Sequence, residues 1–183
     1  MKCLLFLPLT AAILPTALCA QSAGADIERA LLAAPAPLRA EATVLELRPD
    51  GSTAVLREGG NGLICWDNEG RPGQMAPLDV QCTAEANRPR LEQNHALESV
   101  AGTVAEMMAR FERAEADGTR ALSVWGSIYY HVYGDSAQDY IYHTVVAVPQ
   151  ATRDLGFPIA RAPATAWLME AGSSGAHLMI SGR

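Results

Sequence analysis

Ile128-Tyr129-Tyr130-His131-Val132-Tyr133-Gly134-Asp135-Ser136-Ala137-Gln138-Asp139-Tyr140-Ile141-Tyr142-His143-Thr144-Val145 decides the fold. Aromatic and β-branched residues crowd both ends, and a short polar loop with a glycine parts them. Such side chains fit a pleated, half-buried surface, so the stretch predicts two antiparallel strands, 121–133 and 140–148, around a 134–139 loop. All five tyrosines lie between Tyr129 and Tyr142. A symmetric turn sets Tyr133 opposite Tyr140 and His131 opposite Tyr142, with Tyr129 and Trp125 continuing that face. Ile128, Val132, Ile141 and Val145 then share the other face, where Tyr130 opposes His143. One face reads as core, the other as aromatic and polar. Tyrosine and tryptophan offer large amphipathic contact area at low entropy cost, which suits a ligand or partner surface. The competing reading is cross-strand aromatic packing beneath the long loop or the first helix.

Downstream, Ala166-Trp167-Leu168-Met169-Glu170-Ala171 and Ala176-His177-Leu178-Met179-Ile180 flank Gly172-Ser173-Ser174-Gly175, a second hairpin signal. A two-residue Ser173-Ser174 turn puts Glu170 opposite His177, with Met179 on the same face. A carboxylate beside a histidine orients it and raises its pKa, as a general base or metal ligand requires. His143, His177 and Met179 together would suit copper or zinc. With four scattered histidines and no His-x-x-x-His or Cys/His cluster, structural histidines are the competing reading, and no metal or cofactor is expected.

Upstream, Leu97, Val100, Ala101, Val104, Met107, Met108 and Phe111 recur at helical spacing. They predict one long amphipathic helix, started by Asn87-Pro89 or Asn94 and ended by Asp117-Gly118. Asp26 to Ala34 predicts a short helix capped by Asp26 and stopped by Pro35 and Pro37. Residues 42–48 and 52–57 around Pro49-Asp50-Gly51 predict a hairpin. A two-residue Asp50-Gly51 turn pairs Leu45 with Leu56 and Leu47 with Ala54, and a longer turn shifts that by one. Leu63 to Trp66 reads as a short buried strand, and Asp67 to Arg88 as a long loop. The order is short helix, hairpin, loop, long helix and four strands. It gives a single α+β domain, mainly an antiparallel sheet with one long amphipathic helix packed on it.

The N-terminus adds a compartment. Lys2, the apolar run from Cys3 to Leu14 and the small residues around Ala17-Leu18-Cys19-Ala20 have the layout of a secretory signal peptide. The expectation is a leader over residues 1–20 and an exported domain over 21–183, periplasmic or secreted. The run is too short for a transmembrane span. Leu18 before Cys19 disfavours a lipid anchor there. Cys65 and Cys82 are the cysteines left in the exported domain, and an even pair in an oxidising compartment predicts one disulfide. The chain holds 14 basic and 20 acidic residues, for a net charge of −6. Lys2 is the only lysine. A net-acidic chain with scattered arginines is a poor match for nucleic acid or an anionic membrane. The domain then has no lysine for a Schiff base or a phosphate loop.

Taken together, Ile27-Glu28-Arg29-Ala30-Leu31, Ala42-Thr43-Val44, Val55-Leu56-Arg57-Glu58-Gly59, Asn61-Gly62, Cys65, Cys82 and the closing Ala176-His177-Leu178-Met179-Ile180 resemble a group of small exported bacterial proteins of unknown function. These share a Leu-Arg-x-Gly-x-Asn-Gly-Trp-x-Cys stretch, a Pro/Gly-rich loop with a second cysteine, and a final Ala-His-x-Met strand. Leu63 stands where the group often has tryptophan. The resemblance implies export and the Cys65–Cys82 pair, and supplies no activity.

Nucleophile motifs mostly fail: Gly134-Asp135-Ser136 resembles the Gly-Asp-Ser of some esterases and serine proteases, but it lies late in the chain and lacks the expected surrounding residues. Gly172-Ser173-Ser174-Gly175 has neither the spacing nor the strand-to-helix setting of a nucleophile elbow. The first expectation is a binding or accessory module with an unknown ligand or protein partner, using Trp125, Tyr129, His131, Tyr133, Tyr140 and Tyr142. The second is a small metal-dependent or acid–base enzyme centred on His143, Glu170 and His177 with Met179. The third is a disulfide-stapled structural domain without a ligand.

Overall fold

The computed structural model describes residues 24–161 and 165–181, so the expected leader lies outside the described residues. One eight-stranded sheet runs through the domain. Its strands are β1 (Thr43–Leu47), β2 (Thr53–Arg57), β3 (Leu63–Asp67), β4 (Leu78–Ala84), β5 (Ile128–Ser136), β6 (Asp139–Ala147), β7 (Ala166–Met169) and β8 (His177–Ser181). They lie in the order β2-β1-β3-β4-β5-β6-β8-β7. The β1–β3 pairing is parallel, which makes the sheet mixed. The helices are α1 (24–30), α2 (Arg88–Ser99) and α3 (Val104–Ala116). The fold is a single α+β domain.

Period-two alternation sorts the side chains. Val44, Cys65, Val80, Cys82 and Val132 point to one face, where Ala30, Leu31, Ala33 and Ala34 of the N-terminal helical segment cover them. That segment runs through α1 and a tight 3-10 turn, Leu31–Ala33, before Pro35 stops it. The helix already runs at residue 24, so Asp26 lies inside it instead of capping it. Leu45, Ile64 and Trp66 point the other way and pack with Leu91 of α2. Cys65 and Cys82 sit directly opposite each other on β3 and β4, and form the expected disulfide.

The expected long helix is two helices. The chain leaves α2 at Val100 and re-enters helix after Thr103. Thr103 accepts a hydrogen bond from Glu106 N at 3.2 Å, and the Glu106 carboxylate accepts one from Gly102 N at 2.7 Å. Thr103-x-x-Glu106 has the sequence signature of a capping box, with the returning carboxylate bonded one residue before the N-cap. The regular apolar spacing across residues 97–111 hid it. The break leaves Val100, Val104 and Met108 exposed, and α2 buries Leu91, His95 and Glu98 instead.

The expected 67–88 loop contains β4. Leu78, Val80 and Cys82 alternate with Asp79, Gln81 and Thr83, a strand pattern obscured because its polar half is also buried. The first hairpin takes the longer turn. Arg48 N bonds Ser52 O at 2.9 Å, and the Asp50 carboxylate accepts from Ser52 N at 2.9 Å. Leu47 therefore faces Thr53 and Leu45 faces Val55, one residue off the two-residue-turn register. The terminal hairpin also slips by one, so Met169, not Glu170, opposes His177. Glu170 leaves the strand with φ 51° to begin the turn.

Candidate functional site

The tyrosine hairpin has a different register from the symmetric one. Gly134 pairs with Tyr140 and Ser136 with Asp139, which leaves Asp135 as an extra residue on β5. A one-residue slip turns every side chain of the second strand to the opposite face. His131 now opposes His143, Tyr133 opposes Ile141, and Val132 opposes Tyr142. The expected six-residue aromatic face is therefore divided. Tyr129, His131 and Tyr133 share the α2 side with Ile141 and His143. Tyr140 and Tyr142 lie on the α1 side. Strand β5 begins at Ile128, so Trp125 precedes it in a turn and is exposed.

Most of these side chains are already engaged. Tyr142 Oη donates to Ala33 O at 3.1 Å beneath the N-terminal segment, and burial pushes its phenol up to about 12. Tyr129 exchanges a hydrogen bond with Ser123 Oγ at 2.8 Å, and burial likewise raises its pKa. Tyr130 and Tyr142 lean on each other with centroids 6.4 Å apart. Cross-strand packing under the first helix accounts for Tyr130 and Tyr142, while Tyr129 packs on the α2 side.

The α2 side brings together a polar row that joins residues from both site expectations. His131 Nε2 lies 2.8 Å from Asp79 Oδ1. Asp79 also accepts from Asn68 Nδ2 at 2.8 Å and Met75 N at 2.7 Å. Burial drives this carboxyl up, but the bonds from His131, Met75 N and Asn68 outweigh it and hold the group below the ordinary value. The Tyr133 ring contacts both histidines, at 4.9 Å from His131 and 5.1 Å from His143. Its hydroxyl is 3.4 Å from His143 Nε2. Burial, then the neighbouring His131 and Arg161, hold His143 below the usual histidine range. Asp79, within the stretch expected to be a loop, lies on β4 and anchors this row.

The second expected site does not assemble. His143 pairs with Ser181, while His177 pairs with Ala147. Four residues of strand separate them, roughly 13 Å. The ring Nδ1 of His177 is 2.7 Å from Gly175 O, in its own turn. Met179 shares the His177 face and opposes Trp167. Among the described residues no group of three or more His, Cys, Asp or Glu is placed to hold a metal ion.

Glu170 is instead at the rim of a cleft of about 750 Å³. The cleft lies between α2, α3 and the β7–β8 turn, with Met108, Phe111 and Ala171 among its walls. Two arginines line it. Arg90 Nη1 donates to Ala121 O at 2.7 Å and Ser174 Oγ at 2.9 Å. Arg120 donates to Gln93 Oε1 at 3.0 Å and Asn94 Oδ1 at 2.8 Å, and its guanidinium lies 4.5 Å from the Phe111 ring centroid. Arg90, Gln93 and Asn94 are spaced i, i+3, i+4, so one face of α2 positions the whole arrangement. Burial, then repulsion by Arg90, pull Arg120 down to about 10, so it stays cationic at neutral pH. Opposite, Glu115 holds the turn by accepting from Ser174 N at 2.6 Å and from Ser174 Oγ. Arg90, Gln93, Glu115 and Arg120 carry no sequence signal, because scattered arginines and helix amides form no motif, while Asn94, Met108, Phe111, Glu170 and Ser174 enter the sequence reading in other roles.

A second cleft, of about 630 Å³, lies under the β1–β2 turn and the α2–α3 junction. Its inner wall carries Arg71, His95 and Glu98, with Arg71 and Glu98 paired. His95 Nε2 lies 2.7 Å from Arg48 O, which ties α2 to the turn. No helix among the described residues is long and apolar enough to cross a membrane. No family model, curated protein or solved structure matches this chain.

Proposed function

We propose that this chain is an exported binding protein whose small-molecule ligand sits in the cleft between α2, α3 and the β7–β8 turn. The observation that carries this reading is the pairing of an apolar wall with two guanidiniums in one recess. Ligand sites combine apolar lining with a few convergent polar groups. Glu170 at the rim adopts a left-handed backbone that few non-glycine residues take, and such conformations concentrate at functional sites. Export rests on the N-terminal leader pattern, and the Cys65–Cys82 bond fits an oxidising compartment. Trp125, in the turn before β5, and Tyr140, on β6, are left exposed for a partner.

An acid–base enzyme is the second reading, and the Asp79–His131 contact at 2.8 Å favours it. A depressed carboxylate that orients an imidazole is the arrangement a general base requires. The catalytic pair would then be His131 and His143 with Tyr133, in place of His143, Glu170 and His177.

Ligand-observed NMR tests the first reading. A mixed library of small acids, amines and alcohols is screened against the wild type and against Ala171→Trp, which fills the cleft. At least one class should bind the wild type and be lost in the variant. A library in which no member distinguishes the two proteins removes the reading. The mass of the protein from the exported fraction tests export: the chain should begin at Gln21 and be two daltons light.

A further inference from the structure

Burying a cation without a counter-charge is costly, and the cost falls when an anion arrives. Arg90 and Arg120 are both partly buried in the cleft, and both are held by neutral acceptors, a carbonyl, a hydroxyl and two side-chain amides. Neither has a carboxylate within ion-pairing distance among the described residues. Glu115 and Glu170 act on both guanidiniums through space without a direct ion pair, and Glu115 is committed to the Ser174 backbone and hydroxyl. The amide and ring contacts fix Arg120 in place, so little side-chain entropy remains to be lost when a ligand binds.

Resting on the cleft reading above, we propose that the ligand is a monocarboxylate with an apolar body, its carboxylate bonded by Arg90 and Arg120 and its body laid along Met108 and Phe111. Guanidiniums match a carboxylate in charge and in planar donor geometry. Met108 is 47% exposed, an apolar surface a ligand body would cover. Glu112 and Glu170 also line the cleft. With Glu115 they set three carboxylates against two guanidiniums, so each added negative charge on a ligand is disfavoured and a single one is the most the cleft should take.

The test compares 4-phenylbutyrate with 4-phenylbutanol, the same body without the charge, by isothermal titration and by the side-chain Nε–H signals of the arginines. The acid should bind at least about tenfold more tightly than the alcohol, a difference expected for a charge-assisted hydrogen bond. Arg120→Gln should abolish that preference. Met108→Glu changes an exposed residue that the fold does not need, and it should weaken the acid more than the alcohol. Equal binding of acid and alcohol overturns the carboxylate assignment and leaves the cleft reading standing. Failure of both probes together with an empty library screen overturns both. Retention of the full acid preference in both variants also overturns the assignment.

Discussion

His131 and His143 face each other directly across β5 and β6, on the same side of the sheet, with the Tyr133 ring against both. One bulged residue, Asp135, creates the pair. Asp79 holds a hydrogen bond to one imidazole, while the other has His131, Arg161 and a tyrosine edge as neighbours.

That asymmetry gives a pH dependence. His143 is depressed below its ordinary 6.5 by burial, then by His131 and Arg161. A depressed base is protonated more readily in the unfolded chain. Its contribution is complete above about 6.5 and is lost as the pH falls from there toward the folded value. His95, depressed by burial and Arg71, acts in the same direction. Melting temperature should therefore fall between about pH 7 and about pH 5. His143→Gln should reduce that slope without abolishing it. Equal slopes in the two proteins would show that His143 does not titrate in this way.

Gly134 controls the register that makes the histidine pair. A Cβ there would lie 2.3 Å from Asp139 O and 2.5 Å from Tyr140 Cα, both backbone atoms that cannot rotate aside. Gly134→Ala should destabilise the domain by roughly 2 kcal/mol, within the range of strained backbone substitutions. It should also disturb the Tyr133–His143 contact, visible as a shifted His143 ring signal. A fully stable variant with an unchanged ring signal would mean that β6 moves freely at this point.

How much of this was legible follows from where each element keeps its polar groups. The N-terminal helix, both hairpins and the strand at Cys65 were readable, since their apolar residues fall on one face and Gly, Pro or Asp marks their ends. Strand β4 was not, because Asp79 and Thr83 are buried as completely as Val80 and Cys82, and a buried polar face reads as loop. Helix α2 lay within the expected helix if that began at Asn87-Pro89; the break before α3 was not legible, since apolar spacing continues through residues 97–111. Register was legible only to one residue. A bulge at Asp135 and a longer turn at Pro49 each move it by one, and one is enough to exchange faces. The histidine row thus needed the bulge. The arginine cleft needed the tertiary meeting of α2, α3 and a distant turn.

The disulfide should be structural. Both cysteines are fully buried, and the bond closes a separation of 17 residues. Replacing both by alanine should cost about 3 kcal/mol on the chain-entropy model, measured by urea denaturation. In the folded protein a thiol reagent with reductant should label neither cysteine until the domain unfolds. Labelling at the native rate of an exposed thiol would mean that this strand pair opens locally.

Arg71 and Glu98 form an ion pair at the wall of the smaller cleft, with side-chain exposures of 12% and 10%. Arg71 also donates to Asn68, which links the pair to the Trp66–Asn68–Asp79 chain under α2. Removing Glu98 leaves the buried Arg71 without its direct partner and with only the more distant Asp79 carboxylate to offset it, whereas removing both leaves no buried charge of the pair. Glu98→Ala should therefore cost about 3–5 kcal/mol. Arg71→Met combined with Glu98→Leu should recover most of that loss, because two apolar groups of similar volume need no counter-charge there. Urea denaturation of the single and double variants measures the difference. A double variant as unstable as Glu98→Ala alone would show that the pair holds the α2–α3 junction by geometry and not by charge balance. In that case the loss would appear in the chemical shifts of residues 99–103 before any global unfolding.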